Sequence, residues 1–277
     1  MAATVLVYFS GALGDVILTS PALALVRAWR PEAHIHWIAP RSAQQLYPAL
    51  YDSWTDVNAA CVAELFSDDC RGACARHAMW RTAQHAVVFE HHDSVLVRML
   101  ARVMYVCAVD ARPAGCRDEH YSRYVWRRTQ IALGTKAEYA VPVPVMRAPR
   151  EAPHGAYAIV HAGSGSPGKV APPDQIWRIC QHAAAGRPWQ WLLLEGESDA
   201  AASAVLRAIW RGEVRMLRVV DLRELAWYLA HAAYYVGNDS GVSHLAGVAG
   251  ARGTVLFGPT DPVLWRPLGS ALAVERF

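Results

Sequence analysis

Twice along this chain, short runs of β-forming apolar residues alternate with stretches that read as helices. A proline-rich segment separates the two series. Strand, helix and strand joined in that order build a parallel sheet with helices on its faces, so this alternation is the strongest constraint on the fold. TVLVYF (4–9) is a continuous apolar run, as expected of a strand buried on both sides. VILTSPALALVRAWR then reads as a helix that Pro21 either starts or kinks. HIHWIAP (34–40) is the next strand, and a weak third lies near Asp56-Val57. HAVVFEHHD (85–93) is a strand with a polar end, SVLVRMLARVMYVCA (94–108) reads as one apolar helix, and YSRYVWRRTQIALG (121–134) as a helix stopped by Gly134.

VPVPVMRAPREAPHG (141–155) holds four prolines, too many for a helix or a central strand. It reads as an extended linker. Beyond it the alternation restarts. Strands are expected at AYAIVHAG (156–163), WQWLLLEG (189–196), VRMLRVV (214–220), AYYVG and GTVLFG (253–258). Helices are expected at DQIWRICQHAAAG (174–186, capped by Asp174), SDAAASAVLRAIWRG (198–212), DLRELAWYLAHA (221–232, capped by Asp221) and GVSHLAGVAG. Little follows LFGPTDPVLWRP, and no element is assigned there. The expectation is an α/β protein of two Rossmann-like, doubly wound parallel-sheet domains, residues 1–145 and 146–277.

A net charge of +3 on 277 residues gives no footprint for nucleic acid. The excess is local: residues 1–150 carry 16 Lys and Arg against 13 Asp and Glu, while the remainder balances at 11 and 11. Lys occurs only at 136 and 169. The six cysteines (61, 70, 74, 107, 116, 180) show no paired spacing, and Cys70-x3-Cys74-x2-His77 has no second half to complete a metal site. Reduced thiols in a cytoplasmic protein are expected. The first residues lack a basic n-region, so no signal peptide is read there, and no run of about 20 apolar residues would span a membrane.

In such sheets ligands sit where strands end and helices begin, and four corners are specialised. SGALGD places Gly11, Gly14 and Asp15 before a helix. The glycines permit close backbone approach, and Asp15 is either a cap or a general base. HAGSGSPGK joins small residues, among them Ser164, to Lys169, a phosphate cradle in composition. It is not a Walker A loop, because Val170 stands where Ser or Thr is required. LLLEGESD offers Glu195, Glu197 and Asp199 to a ribose or to solvent. GNDSGVSHLAG sets Asn238, Asp239, Ser240 and Gly241 at a helix start, an anion site, with His244 on the same face as Ser240.

Together, GALGDVILTSPALALVRAWRPEAHI, HAGSGSPGK and VGNDSGVSHLAGVAGARGTVLFGPTDPVLWRP resemble glycosyltransferase family 9, the ADP-heptose:lipopolysaccharide heptosyltransferases and their relatives. The resemblance implies a GT-B fold and an inverting, metal-independent transfer without a cofactor. The donor would be a nucleotide-diphosphate sugar, with ADP-heptose favoured, held by the C-terminal domain. The acceptor would be a hydroxyl of a lipopolysaccharide-core or other glycan or glycolipid. Asp15 would deprotonate that hydroxyl. Lys169 would meet the donor phosphates, and Asp239, Ser240, Gly241 and His244 would hold the diphosphate and sugar. Gly14, Ser164, Glu197 and Asn238 join the expected donor-binding set. Glu90, His91, His92 and Asp93, at the polar end of a strand, are the expected acceptor-binding group. A lipid-linked acceptor would bring the arginine-rich N-terminal half to the cytoplasmic face of the inner membrane. Alternatives on the same fold are a transferase using another sugar on a natural-product acceptor, a nucleotide-sugar epimerase or hydrolase, and a non-catalytic nucleotide-sugar binding module. A Rossmann dehydrogenase is disfavoured, since SGALGD lacks the GxGxxG spacing.

Overall fold

The computed structural model describes residues 3–111, 118–196, 198–269 and 271–277. Glu197 and Cys116 therefore lie outside the described residues. The chain divides into two compact units. One contains the described residues up to Ala12 together with Thr19–Pro142, and the other contains Leu13–Leu18 together with Val143–Phe277.

The first unit is built on a parallel sheet of order β3-β2-β1-β4-β5. Its strands are β1 (Thr4–Tyr8), β2 (His34–Ala39), β3 (Ser53–Asp56), β4 (Ala83–Val88) and β5 (Tyr105–Ala108). Every residue of β1 is buried, as its uninterrupted apolar run requires of a central strand. Leu6 pairs with His36 on one side and Ala86 on the other. On one face Leu6, Tyr8, Ile38 and Val88 pack with Trp80, Leu96 and Leu100. Helix α1 (Leu13–Trp29) leaves β1 and carries Pro21 inside it. α2 is Arg41–Leu46, and three short helices follow: α3 (Ala60–Ala63), α4 (Cys70–Arg76) and α5 (Ala78–Arg81). Cys70 and Cys74 are both buried in that apolar cluster, where thiols act as small hydrophobic groups.

The single helix expected over 94–108 is instead helix, turn and strand. α6 covers only Val95–Leu100, capped by Ser94, and β5 follows as an edge strand paired with β4. The cause is tertiary: Tyr105, Val106 and Cys107 are β-formers, and β4 offers them an open edge. α7 (Tyr121–Leu133) ends as its sequence predicts, with Gly134 at φ 61° and Thr135 donating back to the Gln130 carbonyl. Residues 135–150 then contain neither helix nor strand.

The second unit repeats the design with order β11-β10-β9-β6-β7-β8, all parallel. The strands are β6 (Tyr157–His161), β7 (Gln190–Leu194), β8 (Arg215–Leu217), β9 (Tyr234–Asn238), β10 (Gly253–Phe257) and β11 (Leu272–Arg276). β11 was not assigned from the sequence. Alternation of buried Leu272 with exposed Ala273 marks an edge strand, a weaker signal than a fully apolar run. The helices are α8 (Pro173–Ala184), α9 (Ala200–Ile209), α10 (Leu222–His231), α11 (Gly241–Val248) and α12 (Pro262–Trp265). Asp174 lies inside the first turn of α8 rather than capping it, because Pro173 opens the helix. Asp221 does cap α10, accepting from the Arg223 backbone N–H at 2.8 Å. Among the described residues, no helix is long and apolar enough to cross a membrane.

Candidate active site

In the second sheet the strand order reverses between β6 and β9, which lie side by side with His161 level with Gly237. The crevice beyond the carboxyl ends of such a pair is where open α/β sheets bind ligands. β9 ends at Asn238, Asp239 turns the corner, and Ser240 caps α11 by accepting the Ser243 backbone N–H at 3.3 Å. The helix leaves its first N–H groups without intrahelical partners, so those of Gly241 and Val242 remain for an anion.

The loop after β6 is fastened to this corner by side chains. Asn238 donates to the Ala162 carbonyl at 2.7 Å and accepts from the Ala171 N–H at 3.1 Å. Ser164 donates to the Asp239 carbonyl at 2.7 Å. Asn238 is completely buried, so it works as a clamp between the loop and β9. Lys169, brought round by that loop, lies 2.9 Å from Asp239 Oδ2, and Thr260 donates to the same oxygen at 2.6 Å. His244 Nε2 is 3.8 Å from the other Asp239 oxygen. Lys169 is about one-third exposed while Asp239 is buried.

Two glycines of this unit have steric reasons. A Cβ on Gly14 would come within 3.0 Å of the His244 ring, and one on Gly241 within 2.9 Å of Leu13 Cβ. Gly241 thus permits close packing against the first turn of α1, in addition to leaving the helix end open. Beside the corner lies a pocket of about 660 Å³, lined among others by Ala162, Val170, Pro172, Ile176, Ala202 and Val205. Its apolar walls and adjoining phosphate-type loop suit a flat heterocycle.

Asp15 belongs to the turn of α1 that packs on this corner, and the other site residues of the sequence reading fall elsewhere. Asp15 is half-buried in the first turn of α1, where a carboxylate is favoured by the helix dipole. It stands two residues inside the helix, at the third helical position. Glu90 to Asp93 form their own group after β4, at the strand-order reversal of the first sheet. Burial pushes the Tyr8 hydroxyl pKa up, and the nearby Glu90 charge adds to that rise. His92 and Asp93 are exposed, with His92 Nε2 3.3 Å from Asp93 and His91 Nδ1 3.8 Å from it. Among the described residues, His91, His92 and Asp93 form a group whose ligand atoms could converge on a metal ion.

Of the acids offered to a ribose, Glu195 pairs with Arg218, and Asp199 turns inward. Asp199 accepts from His161 Nε2 at 2.9 Å and from the Gly196 N–H at 3.0 Å, so it makes no side-chain cap bond to α9. The His161 hydrogen bond holds its carboxyl below the usual range. His161 and Thr260 were missed. His161 ends β6 in HAGSG and Thr260 follows β10 in GPTD, which is a signal of position but not of contact. A Cβ on Gly163 would lie 1.9 Å from Asp199 Oδ1, so Gly163→Ala must expel the carboxylate. Breaking a buried pair in this way costs about 3 kcal/mol. A lowered denaturant midpoint is the expected result, and a midpoint equal to that of the parent would contradict this packing.

A family model, glycosyltransferase family 9 (heptosyltransferase), matches residues 43–275. No curated protein matches the sequence. Among solved structures, the E. coli ADP-heptose lipopolysaccharide heptosyltransferase II is 16% identical, with 99% of this chain and 90% of that one covered at a TM-score of 0.75. E. coli heptosyltransferase WaaC with ADP is 18% identical, with 99% and 93% covered at 0.69. TibC from enterotoxigenic E. coli, an iron-containing dodecameric glycosyltransferase, is 14% identical, with 98% and 62% covered at 0.60. At these identities the likeness is one of fold, GT-B. The family match spans most of the chain, which therefore belongs to glycosyltransferase family 9 and is a glycosyltransferase.

Proposed function

We propose that this enzyme transfers a heptose from ADP-heptose to a hydroxyl of a lipopolysaccharide-core or related glycan, by direct inverting displacement and without a metal. The observation that carries the reading is the corner at Asp239 to His244. An open helix N-terminus, one lysine and one histidine converge there beside a pocket sized for a nucleobase. Lys169 would turn one face to the donor diphosphate while keeping Asp239. Gly241 and Val242 would offer backbone N–H groups, and Ser240 its hydroxyl. These fixed dipoles and charges stabilise the negative charge that grows on the departing diphosphate, the work a divalent ion does in other sites. Asp15 would take the proton of the attacking hydroxyl. Glu90, His91, His92 and Asp93 would hold a polar acceptor by hydrogen bonds. Two of the solved relatives are described with ADP or ADP-heptose, which favours adenine as the donor base.

The test is turnover of ADP-heptose with a truncated lipopolysaccharide-core acceptor in excess EDTA, followed by mass spectrometry of the glycan. A mass gain of one heptose per acceptor, with ADP released in equal amount and no loss of rate with EDTA, is expected. Heptose released at the same rate without acceptor would make the enzyme a hydrolase. A rate abolished by EDTA and restored by a divalent ion would contradict the metal-free displacement.

A further inference from the structure

Three buried side chains form a line of hydrogen bonds under the first turn of α11. Asp199 Oδ2 is 2.9 Å from His161 Nε2, and His161 Nδ1 is 3.4 Å from Ser240 Oγ. They are 7%, 2% and 8% exposed. They come from the turn after β7, the last residue of β6 and the corner after β9. The direction of each bond can be assigned. Asp199 accepts from the Gly196 N–H on the same oxygen, so it is an acceptor and His161 Nε2 carries a hydrogen. In a neutral imidazole Nδ1 is then bare, and it takes the Ser240 hydroxyl hydrogen. Two other oxygens neighbour the Ser240 hydroxyl: Ser243 Oγ at 3.5 Å, which donates to the Asn238 carbonyl, and the Tyr235 hydroxyl, which is itself 2.8 Å from Ser243 Oγ.

That direction opposes the use of Ser240 by an anion. A serine serves a phosphate by donating its single hydrogen, and here His161 holds it. Turning the hydroxyl towards a phosphate would leave Nδ1 a buried acceptor without a donor, which is unfavourable. A proton on Nδ1 removes the conflict. Nδ1–H then donates to Ser240 Oγ, the hydroxyl turns to the anion, and the imidazolium is balanced by Asp199. We propose that seating the diphosphate of a nucleoside diphosphate at the N-terminus of α11 is coupled to uptake of one proton from solvent by His161, which makes His161 the positioning residue for Ser240. This rests on the donor reading given above.

Other ionisable groups surround the line. Tyr235, on β9, is fully buried, and burial pushes its phenol up, so it stays neutral. Asp239 at the corner is paired with Lys169 of the β6 loop, and His244 on α11 lies 3.8 Å from Asp239. Among the described residues, the ionisable groups at the Ser240 hydroxyl are His161, at 3.4 Å, and the Tyr235 phenol, which stays neutral.

The experiment is calorimetric titration at pH 8.0, where a free imidazole is neutral, in several buffers of different protonation enthalpy. The probe is whichever of ADP, UDP, GDP and TDP binds tightest. Close to one proton taken up per nucleotide is expected, with affinity falling towards tenfold per pH unit as pH rises. His161→Gln should bind with no proton uptake and with a flatter pH dependence. Asp199→Asn, which removes the counter-charge, should lose the uptake too and serves if the first variant does not fold. His244→Asn should keep it. Binding without uptake in the parent, or uptake retained in His161→Gln, would overturn the coupling while leaving the donor reading intact. Absence of binding by all four nucleotides would overturn both.

Discussion

Asp15→Asn is expected to lower kcat by about 10²- to 10⁴-fold while leaving nucleotide affinity within about twofold, the range lost when a general base is removed. The reason is the chemistry of the acceptor. A sugar hydroxyl is neutral at pH 7 and attacks the anomeric carbon well only as its proton leaves. The proposed inverting displacement has no covalent intermediate to share the work, so it needs one base to take that proton, the role proposed for Asp15. Asp15 follows the central strand β1, in the first turn of α1. Asn preserves its size and hydrogen-bonding shape but accepts no proton. Steady-state kinetics separate the effects: a change confined to kcat identifies the base, whereas kcat within threefold of the parent would assign proton removal to another group.

Lys169→Ala should weaken binding of the donor diphosphate by on the order of 100-fold. A charge-assisted hydrogen bond contributes about 1.5–3 kcal/mol, which alone amounts to between about tenfold and 150-fold. Asp239 adds to the loss. Its carboxylate is buried and neutralised by Lys169 at 2.9 Å, so removing the lysine leaves an unbalanced negative charge facing the incoming phosphates. The double variant Lys169→Ala/Asp239→Asn should therefore recover part of the affinity lost by the single one. Affinities measured by calorimetry decide this: equal losses in the single and double variants would mean that Asp239 exerts no repulsion.

Much of this architecture was legible in the residues. β1, β6, β7 and β10 are continuous apolar runs, because a central strand of a parallel sheet is buried on both faces. The edges were harder. β5 was absorbed into a helix reading and β11 was not assigned, since an edge strand is shorter, partly polar and defined by its neighbour. The short helices between residues 60 and 81 carry too few turns to show a period. At the corner after β9, glycine, serine and aspartate crowd one strand end, and crowding is visible in sequence. The pairing of His161 with Asp199, 38 residues apart, and of Asp239 with Thr260, 21 apart, is not. Such contacts depend on which strands are neighbours, and only the fold supplies that.

The most direct test of the account is a calorimetric titration of the metal-free enzyme with ADP, UDP, GDP and TDP in the presence of EDTA. The account predicts one ADP bound per chain, more tightly than the other three nucleotides, with the affinity collapsing in Lys169→Ala. Tighter binding of another nucleotide, or ADP binding untouched by Lys169→Ala, would contradict ADP-heptose as the donor or this corner as the place where it sits.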